Sequence, residues 1–535
     1  MIPTKVQEHL ERVYDYIIVG AGSSGCVMTN RLSQDAHNTV LILEAGGDDR
    51  SYPDIVIPGR CGNLGSTDCD WGFKLVPEYN AFKGYEGRVY NSVCGKVLGG
   101  SGALNYLMYM RGTPHDYDTW KNMGCTGWGY ADVLPYFIRS EKCLSSKLRD
   151  SGFHGTDGEI MVSDSNMSSL ADIFMKAGKR MGYNITDCNT DDPIGFMHAQ
   201  STIGDGVRQS SAECYLRPAQ SRSNLHIAIH CHVTKVLLNY NVATGIQFIR
   251  HGRVDTIRTR REVILAAGAY CSPQILMLSG IGPKHHLETH GIQVIQDLPV
   301  GNNLQDHTAV IGLEFEIDQP LSITSETLGL KTTSDLYTQQ RAGPLACNGL
   351  EWTALIRTKY QDEENPNPDV QLISVNGLLG TGKNGRPKNM VGITKKVFDA
   401  IFEGNEGKYG FGVVVLNTNT KSRGTTEPFK SVGTRHTGRV LPDYKKTPFT
   451  DEYWVEYTKT LTNTYHPCGT CKMGRIRDPT TVVDSNLRVK GVDRLRVADA
   501  SVMPTVTSAN VNATCVMIVE KAADLIQSEC LVSRL

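Results

Sequence analysis

The sequence has no apolar run long enough to cross a bilayer. It has no charge excess either: 55 basic residues face 56 acidic ones, a formal net charge of −1. A nucleic-acid binder needs a basic field and an electrostatic membrane binder a basic face, so this balance argues against both. No internal repeat, heptad array or low-complexity tract is present, which sets aside solenoids, coiled coils and long disordered tails. The opening residues, "MIPTKVQEHLERVYDY", lack the apolar stretch of a signal peptide. The chain is therefore expected either to stay inside the cell or to have lost a leader. Cysteine is not scarce, at fifteen, but the count is odd and no dense, regular framework is visible. Together with sequons at Asn166 and Asn184, these features favour a secreted glycoprotein over a cytoplasmic protein.

What is present is an ordinary globular composition, 40% apolar and 21% charged, with 53 glycines. At 535 residues, one core is too few, and two domains are expected. Near the start, "YDYIIVGAGSSGCVMTNRLSQ" reads as strand, tight turn and helix, and "TVLILEAG" as a second buried strand ending at Glu44. The stretches 224–239 and 261–270 are again strand-like. Residues 51–130 read as long ordered loops. The segments 155–222 and 306–462 alternate in polarity, as in "LISVNGLL" and "GFGVVVLN", and suggest a second, antiparallel domain interleaved with the first.

Gly20, Gly22 and Gly25 form G-x-G-x-x-G, and Glu44 follows Gly25 by 19 residues. Alone, such a glycine pattern is as often a structural turn. Between a strand and a helix it reads as a dinucleotide site: Gly20 for the turn, Gly22 for pyrophosphate approach, Gly25 for helix–strand packing. The helix N-terminus, with Ser23 and Ser24, offers N–H groups to the phosphates, and Glu44 and Ala45 meet the adenosine ribose. The fingerprint does not separate FAD from NAD.

The stretch "TYHPCGTCKMG" (464–474) has three readings: a C-x-x-C redox dithiol, a zinc-ligand set, or incidental cysteines beside a working His466. No thioredoxin-like βαβ pattern surrounds it and no second pair completes a zinc site, so no metal is expected. Near the C-terminus, Asn510 and Asn512 precede a largely apolar helix; either could simply cap it.

Further segments decide between these readings. "GKVLGGSGALN" (95–105) and "GAYCSPQILMLSGIG" (268–282) resemble the two signatures of the glucose–methanol–choline (GMC) oxidoreductases. "DWGF", "GWGYADVLPYF", "LPVGNNLQDH", "HPCGTCKMG" and "VADASVMPT" extend the resemblance along most of the chain. It implies an α/β FAD-binding domain of Rossmann type (12–154, 223–305 and 464–535). Interleaved with it is an α+β substrate-binding domain built on an antiparallel sheet (155–222 and 306–463).

The resemblance implies an FAD-dependent alcohol oxidase or dehydrogenase. His466 would take the hydroxyl proton, hydride would pass to flavin N5, and Asn510 would bond the developing alkoxide. Further FAD contacts would come from Trp71, Val97, Gly99, Gly100, Asn105, Leu107, Met108, Val233, Asp499, Ala500, Val511 and Asn512. The implied partners are a small alcohol or cyanohydrin, aromatic ones included, and oxygen or another electron acceptor. Two rivals stand beside this reading: an FAD-containing hydroxynitrile lyase that leaves the flavin oxidised, and a non-enzymatic binding protein. Three departures matter. Leu104 occupies the position where some members tether FAD through histidine, so non-covalent FAD is expected. Cys94 stands where arginine is usual, and the chain between Gly424 and His466 is short.

Overall fold

The computed structural model describes residues 4–78, 81–165, 168–379, 392–405, 407–426, 458–459 and 462–532. The sequon residue Asn166, residues 380–391 and most of the short segment after Gly424 lie outside these residues. Asn184 is exposed. All fifteen cysteines are free thiols.

The first sheet is built on parallel strands whose central residues are mostly apolar and buried. Val13–Val19 pairs in parallel with Val40–Leu43 on one side and with Arg253–Leu265 on the other. Leu225–Ala228 extends this sheet beyond Val40–Leu43, and Leu495–Val497 pairs in parallel with Val263–Leu265. Ile17, Ile18 and all of Val40–Leu43 are inaccessible. Helices cover both faces of such a sheet, which explains why these strands read as continuous apolar runs rather than alternating ones. The connection from the first strand to the second is the helix Ser23–Leu32.

Two expected strands differ in their ends. The stretch 224–239 is two strands, Leu225–Ala228 and Cys231–Asn239, because His230 takes φ +56° and breaks the run. The stretch 261–270 is the end of a 13-residue strand, Arg253–Leu265, followed by the helix Gly268–Leu278. The first half of that strand leaves the parallel layer to form antiparallel pairs with Val242–Arg250.

The second sheet is antiparallel. Its order is Thr462–Asn463, Thr308–Ile317, Tyr409–Asn417, Val370–Asn376, Trp352–Ile356 and Gly195–His198. Part of segment 155–222, expected in this domain, belongs elsewhere. Ile160, Val162, Ala212, Tyr215, Leu216 and Ala219 sit in the core of the first domain. The reason is local. Ala212–Leu216 winds as a π-helical turn, and Asn30 of the first helix donates to the Tyr215 carbonyl at 2.7 Å.

A buried charge network ties the linking segments together. Arg111 donates to Glu141 at 2.6 Å, and His154 spans Glu141 (2.9 Å) and Asp187 (2.6 Å). Two cations and two carboxylates thus balance. Glu141, Cys143 and His154 are close enough to hold a metal ion, but the His154 protons and the Arg111 guanidinium already occupy the carboxylates. Burial opposes charge on His154, yet the bonds to Asp187 and Glu141 outweigh it and hold the imidazolium to about pH 11. A folded-state pKa raised above the ordinary ~6.5 stabilises the fold fully below that pH and ceases to do so as pH rises through the folded value. The thermal midpoint of the wild type is therefore expected to fall more steeply between about pH 7 and 10 than that of His154→Gln. At neutral pH, His154→Leu should cost roughly 3–5 kcal/mol, because it leaves buried carboxylates unpaired. Parallel melting curves with equal slopes against pH would refute the charge assignment.

Candidate active site

Between the two sheets runs a cavity of about 440 Å³ that contacts both glycine-rich loops, the HPCGTC loop and the C-terminal helix. One limb belongs to the parallel domain. Gly20, Gly22, Ser23, Ser24, Glu44 and Ala45 line it, with Trp71, Val233, Asp499 and Ala500. Gly20 has φ +97°, and a Cβ there would lie 2.7 Å from the Ala266 carbonyl oxygen. Gly25 does not face the cavity; its missing Cβ would lie 1.8 Å from the Gly20 oxygen, so it serves helix–strand packing.

The loop 95–105 lies directly on the first turn. A Cβ on Gly100, which has φ +54°, would sit 2.6 Å from the Gly22 Cα, and the Gly99 N–H donates to Ala21 at 2.8 Å. Gly100, Asn105, Leu107 and Met108 face the cavity. Val97 and Gly99 do not, contrary to expectation. Val97 is fully buried among Ile55, Leu64, Cys69 and Ala103, and Gly99 packs against Ala103 and Ser210. The carboxamide oxygen of Asn105 is also engaged, by the Leu107 N–H at 3.0 Å and by Arg208 at 2.8 Å. Arg208 is buried and bonds the carbonyls of Ile55, Gly102 and Asn105 as well, holding the turn. Sequence reasoning missed it, since an isolated arginine carries no pattern.

The Glu44 carboxylate accepts the N–H groups of Ala21 (2.8 Å) and Gly46 (2.9 Å), while burial pushes its pKa up to about 7. Asp499 accepts the Gly268 N–H at 2.8 Å. Cys94 and Leu104 both face the cavity, and burial pushes the Cys94 thiol up to about 12.

At the other limb stand His466 and Asn510. The HPCGTC loop is pinned by its backbone. Gln305 and Cys468 exchange N–H···O bonds at 3.1 and 2.9 Å, and the Cys471 N–H donates to Ser501 at 2.7 Å. Both cysteines are fully buried in the apolar core, behind the turn that presents His466. The C-terminal helix starts at Asn512, whose Oδ1 accepts from Ser23 Oγ at 2.6 Å; Val511 lines the cavity beside it. Asn510 lies just ahead, with Nδ2 3.1 Å from His466 Nε2 and its Oδ1 buried without a partner. Burial first, and His307 second, holds the His466 pKa well below its ordinary value, so the imidazole is neutral at pH 7. A neutral imidazole with an accessible nitrogen can accept a proton, and the amide can donate to an oxygen anion beside it. On the substrate-domain side the lining is mostly apolar: Ala309, Ile311, Leu350, Ile373, Val375, Leu379, Val414 and Leu416, with Tyr106 and Tyr465, and the polar Asn348, Thr462 and Asn463 among them. Sequence reasoning named none of these, because they come from separate strands and loops.

The residues present fit FAD. Glycines stand where the first two loops meet, the first helix begins at their junction, and the cavity runs on to a base and an amide. Gly22→Val would place a branched side chain in the cavity beside the helix N-terminus. It is expected to yield folded but colourless protein, seen as loss of absorbance near the flavin band relative to protein absorbance. A fully yellow Gly22→Val protein would refute the assignment.

Comparison with known proteins gives the same picture. The two family profiles described as GMC oxidoreductase match residues 14–309 and 416–518. The oxygen-dependent choline dehydrogenase of Photobacterium profundum is 34% identical over 97% of this chain and 93% of its own. That of Sinorhizobium medicae is 35% identical over 95% of each. The crystal structure of pyridoxine 4-oxidase from Mesorbium loti superimposes with a TM-score of 0.78 at 26% identity, over 96% of this chain and 99% of the other. The chain belongs to the GMC oxidoreductase family, and is an FAD-dependent oxidoreductase acting on alcohols.

Proposed function

We propose that this enzyme oxidises an uncharged alcohol with a hydrocarbon body, aliphatic or aryl, using His466 as base and non-covalent FAD. The observation that carries this is the neutral His466 imidazole beside the Asn510 amide at the end of an apolar limb. His466 Nε2 accepts the hydroxyl proton, and Asn510 Nδ2 donates to the oxygen as it becomes an alkoxide. FAD, when bound, supplies the acceptor for the hydride that leaves the carbinol carbon. The imidazolium formed at His466 then lies beside the oxygen it deprotonated. Leu104 offers no nucleophile for a covalent link, so denaturation should release intact FAD.

His466→Ala is expected to lower the rate of anaerobic flavin reduction by about 10²–10⁴-fold. Asn510→Ala should cost about 3 kcal/mol of barrier, the scale of one oxyanion donor. Both should retain FAD. An unchanged rate in His466→Ala would remove the mechanism.

Choline, the substrate in the relatives' names, is the second reading. A quaternary ammonium binds best against a carboxylate or converging aromatic faces. Among the described residues lining the cavity, the only carboxylates are Glu44 and Asp499, both in the parallel domain, while Tyr85, Tyr106 and Tyr465 are the aromatic faces that a choline cation would have to use. The apolar limb suits a benzyl or alkyl group, or the body of an aryl cyanohydrin. An anaerobic panel of benzyl alcohol, hexanol, mandelonitrile and choline separates the readings. Bleaching by the neutral alcohols at lower concentration than by choline is expected, and the reverse order would favour choline. The relatives named above are oxidising enzymes, which supports redox use of the flavin over cyanohydrin cleavage. Conversion of mandelonitrile without bleaching would revive the lyase reading.

A further inference from the structure

The far side of the His466 ring carries a second constellation that the proton transfer itself does not use. Its Nδ1 lies 2.9 Å from Thr464 Oγ1 and 3.0 Å from His307 Nδ1. The two imidazoles meet edge to face, at 87° and 5.2 Å between centroids. Thr464 is anchored in turn: its N–H and its hydroxyl both reach the His307 carbonyl, at 3.1 and 3.3 Å. The His466 N–H donates to Asp306 Oδ1 at 2.8 Å.

A threonine hydroxyl has one proton. Given to the His307 carbonyl, it leaves only oxygen lone pairs facing His466. His466 Nδ1 must then be the donor, and Nε2 carries the lone pair. The other tautomer would set Nε2–H against the Asn510 amide protons at 3.1 Å. Turning that amide would relieve the clash, but would withdraw the donor from the alcohol oxygen. His307 has no exposure, and burial pushes its pKa down to about 4, so it is neutral, and with its one proton on Nε2 it accepts at Nδ1.

We propose that Thr464 and His307 are positioning residues that fix His466 as its Nδ1–H tautomer, with the Nε2 lone pair turned to the alcohol. The inference rests on His466 being the base. It follows the general rule that the partner of one ring nitrogen decides what the other can do. Thr464 also lines the cavity, but its hydroxyl is turned to the His307 carbonyl and the His466 ring.

The test uses FAD-loaded protein and the rate of anaerobic flavin reduction by the alcohol that bleaches wild type best. Thr464→Val is expected to lower the limiting rate about tenfold and His307→Leu similarly, with substrate affinity within about twofold. The double variant should fall by about 10²–10³-fold, because either acceptor partly substitutes for the other. Thr464→Ser keeps the acceptor oxygen and should stay within about threefold of wild type. Losing the acceptor also makes the imidazolium less stable, so the acidic limb of the rate profile should move to lower pH. The titratable groups about the pair are His307 and Asp306. Asp306, pushed up to about 7 by burial, in turn faces Tyr270, Tyr465 and Cys468, whose pKa values burial raises. Thr464→Ala serves the same purpose should the valine variant lose FAD.

Thr464→Val and the double variant within twofold of wild type would overturn the proposal. So would Thr464→Ser as impaired as Thr464→Val, which would indicate packing alone. His466→Ala separates the two ideas: if it reduces flavin normally, the base assignment has failed. If it is dead while Thr464→Val is normal, only the positioning has failed.

Discussion

The site depends on one buried junction between the two ends of the chain. Glu520, fully buried in the C-terminal helix Asn512–Val532, accepts from Arg31 at 2.7 Å, from Arg139 at 2.7 Å and from the Tyr215 hydroxyl at 2.9 Å. Arg31 ends the first helix, Ser23–Leu32. A buried ion pair of this kind adds little net stability, since desolvation offsets the attraction, but it tolerates only one register. With the two helices fixed side by side, the first residue of one meets the first of the other, as Ser23 does Asn512. Asn510 is thereby set at the His466 ring. A slip of one helical turn would carry the amide about 5 Å away and dissolve the pair.

A backbone contact beside this junction explains why the second glycine-rich loop carries no side chain where it meets the first. Gly22 and Gly100 approach so closely that either loop would have to retreat from a Cβ on the second. The retreat would open the floor on which the cofactor limb is built. The site is thus closed from below by backbone and from above by the antiparallel sheet, whose strands Thr308–Ile317, Val370–Asn376 and Tyr409–Asn417 turn alternate side chains into the cavity. That apolar roof keeps His466 and His307 desolvated, and desolvation is the main reason both imidazoles are neutral. The proposed preference for an uncharged alcohol and the readiness of His466 to accept a proton would then have one physical origin.

The opening fold was legible because its signals are local. The end of Val13–Val19 and all of Val40–Leu43 are apolar runs, the glycine turn lies between them, and Glu44 stands where the second strand ends. His466 and Asn510 were legible through the motifs around them. The misplacements are of another kind. Val97 and Gly99 share a motif with Gly100 and Asn105, yet face away, since adjacent loop residues point in different directions. The segment 212–219 resembles its neighbours in composition but packs against Asn30 and the first helix, 185 residues away from Tyr215 in sequence at that bond.

The sequence by itself determined the strand–turn–helix opening, the family's loops and the candidates for base and amide, because each is written in consecutive residues under one local rule of spacing. Only the tertiary structure decided which loop residues face the cavity, that the limb beyond His466 is mostly apolar, and that Thr464 and His307 stand behind His466. Those properties come from residues on separate strands and loops. Their proximity is set by packing and hydrogen bonds across hundreds of positions, and no periodicity along the chain records it.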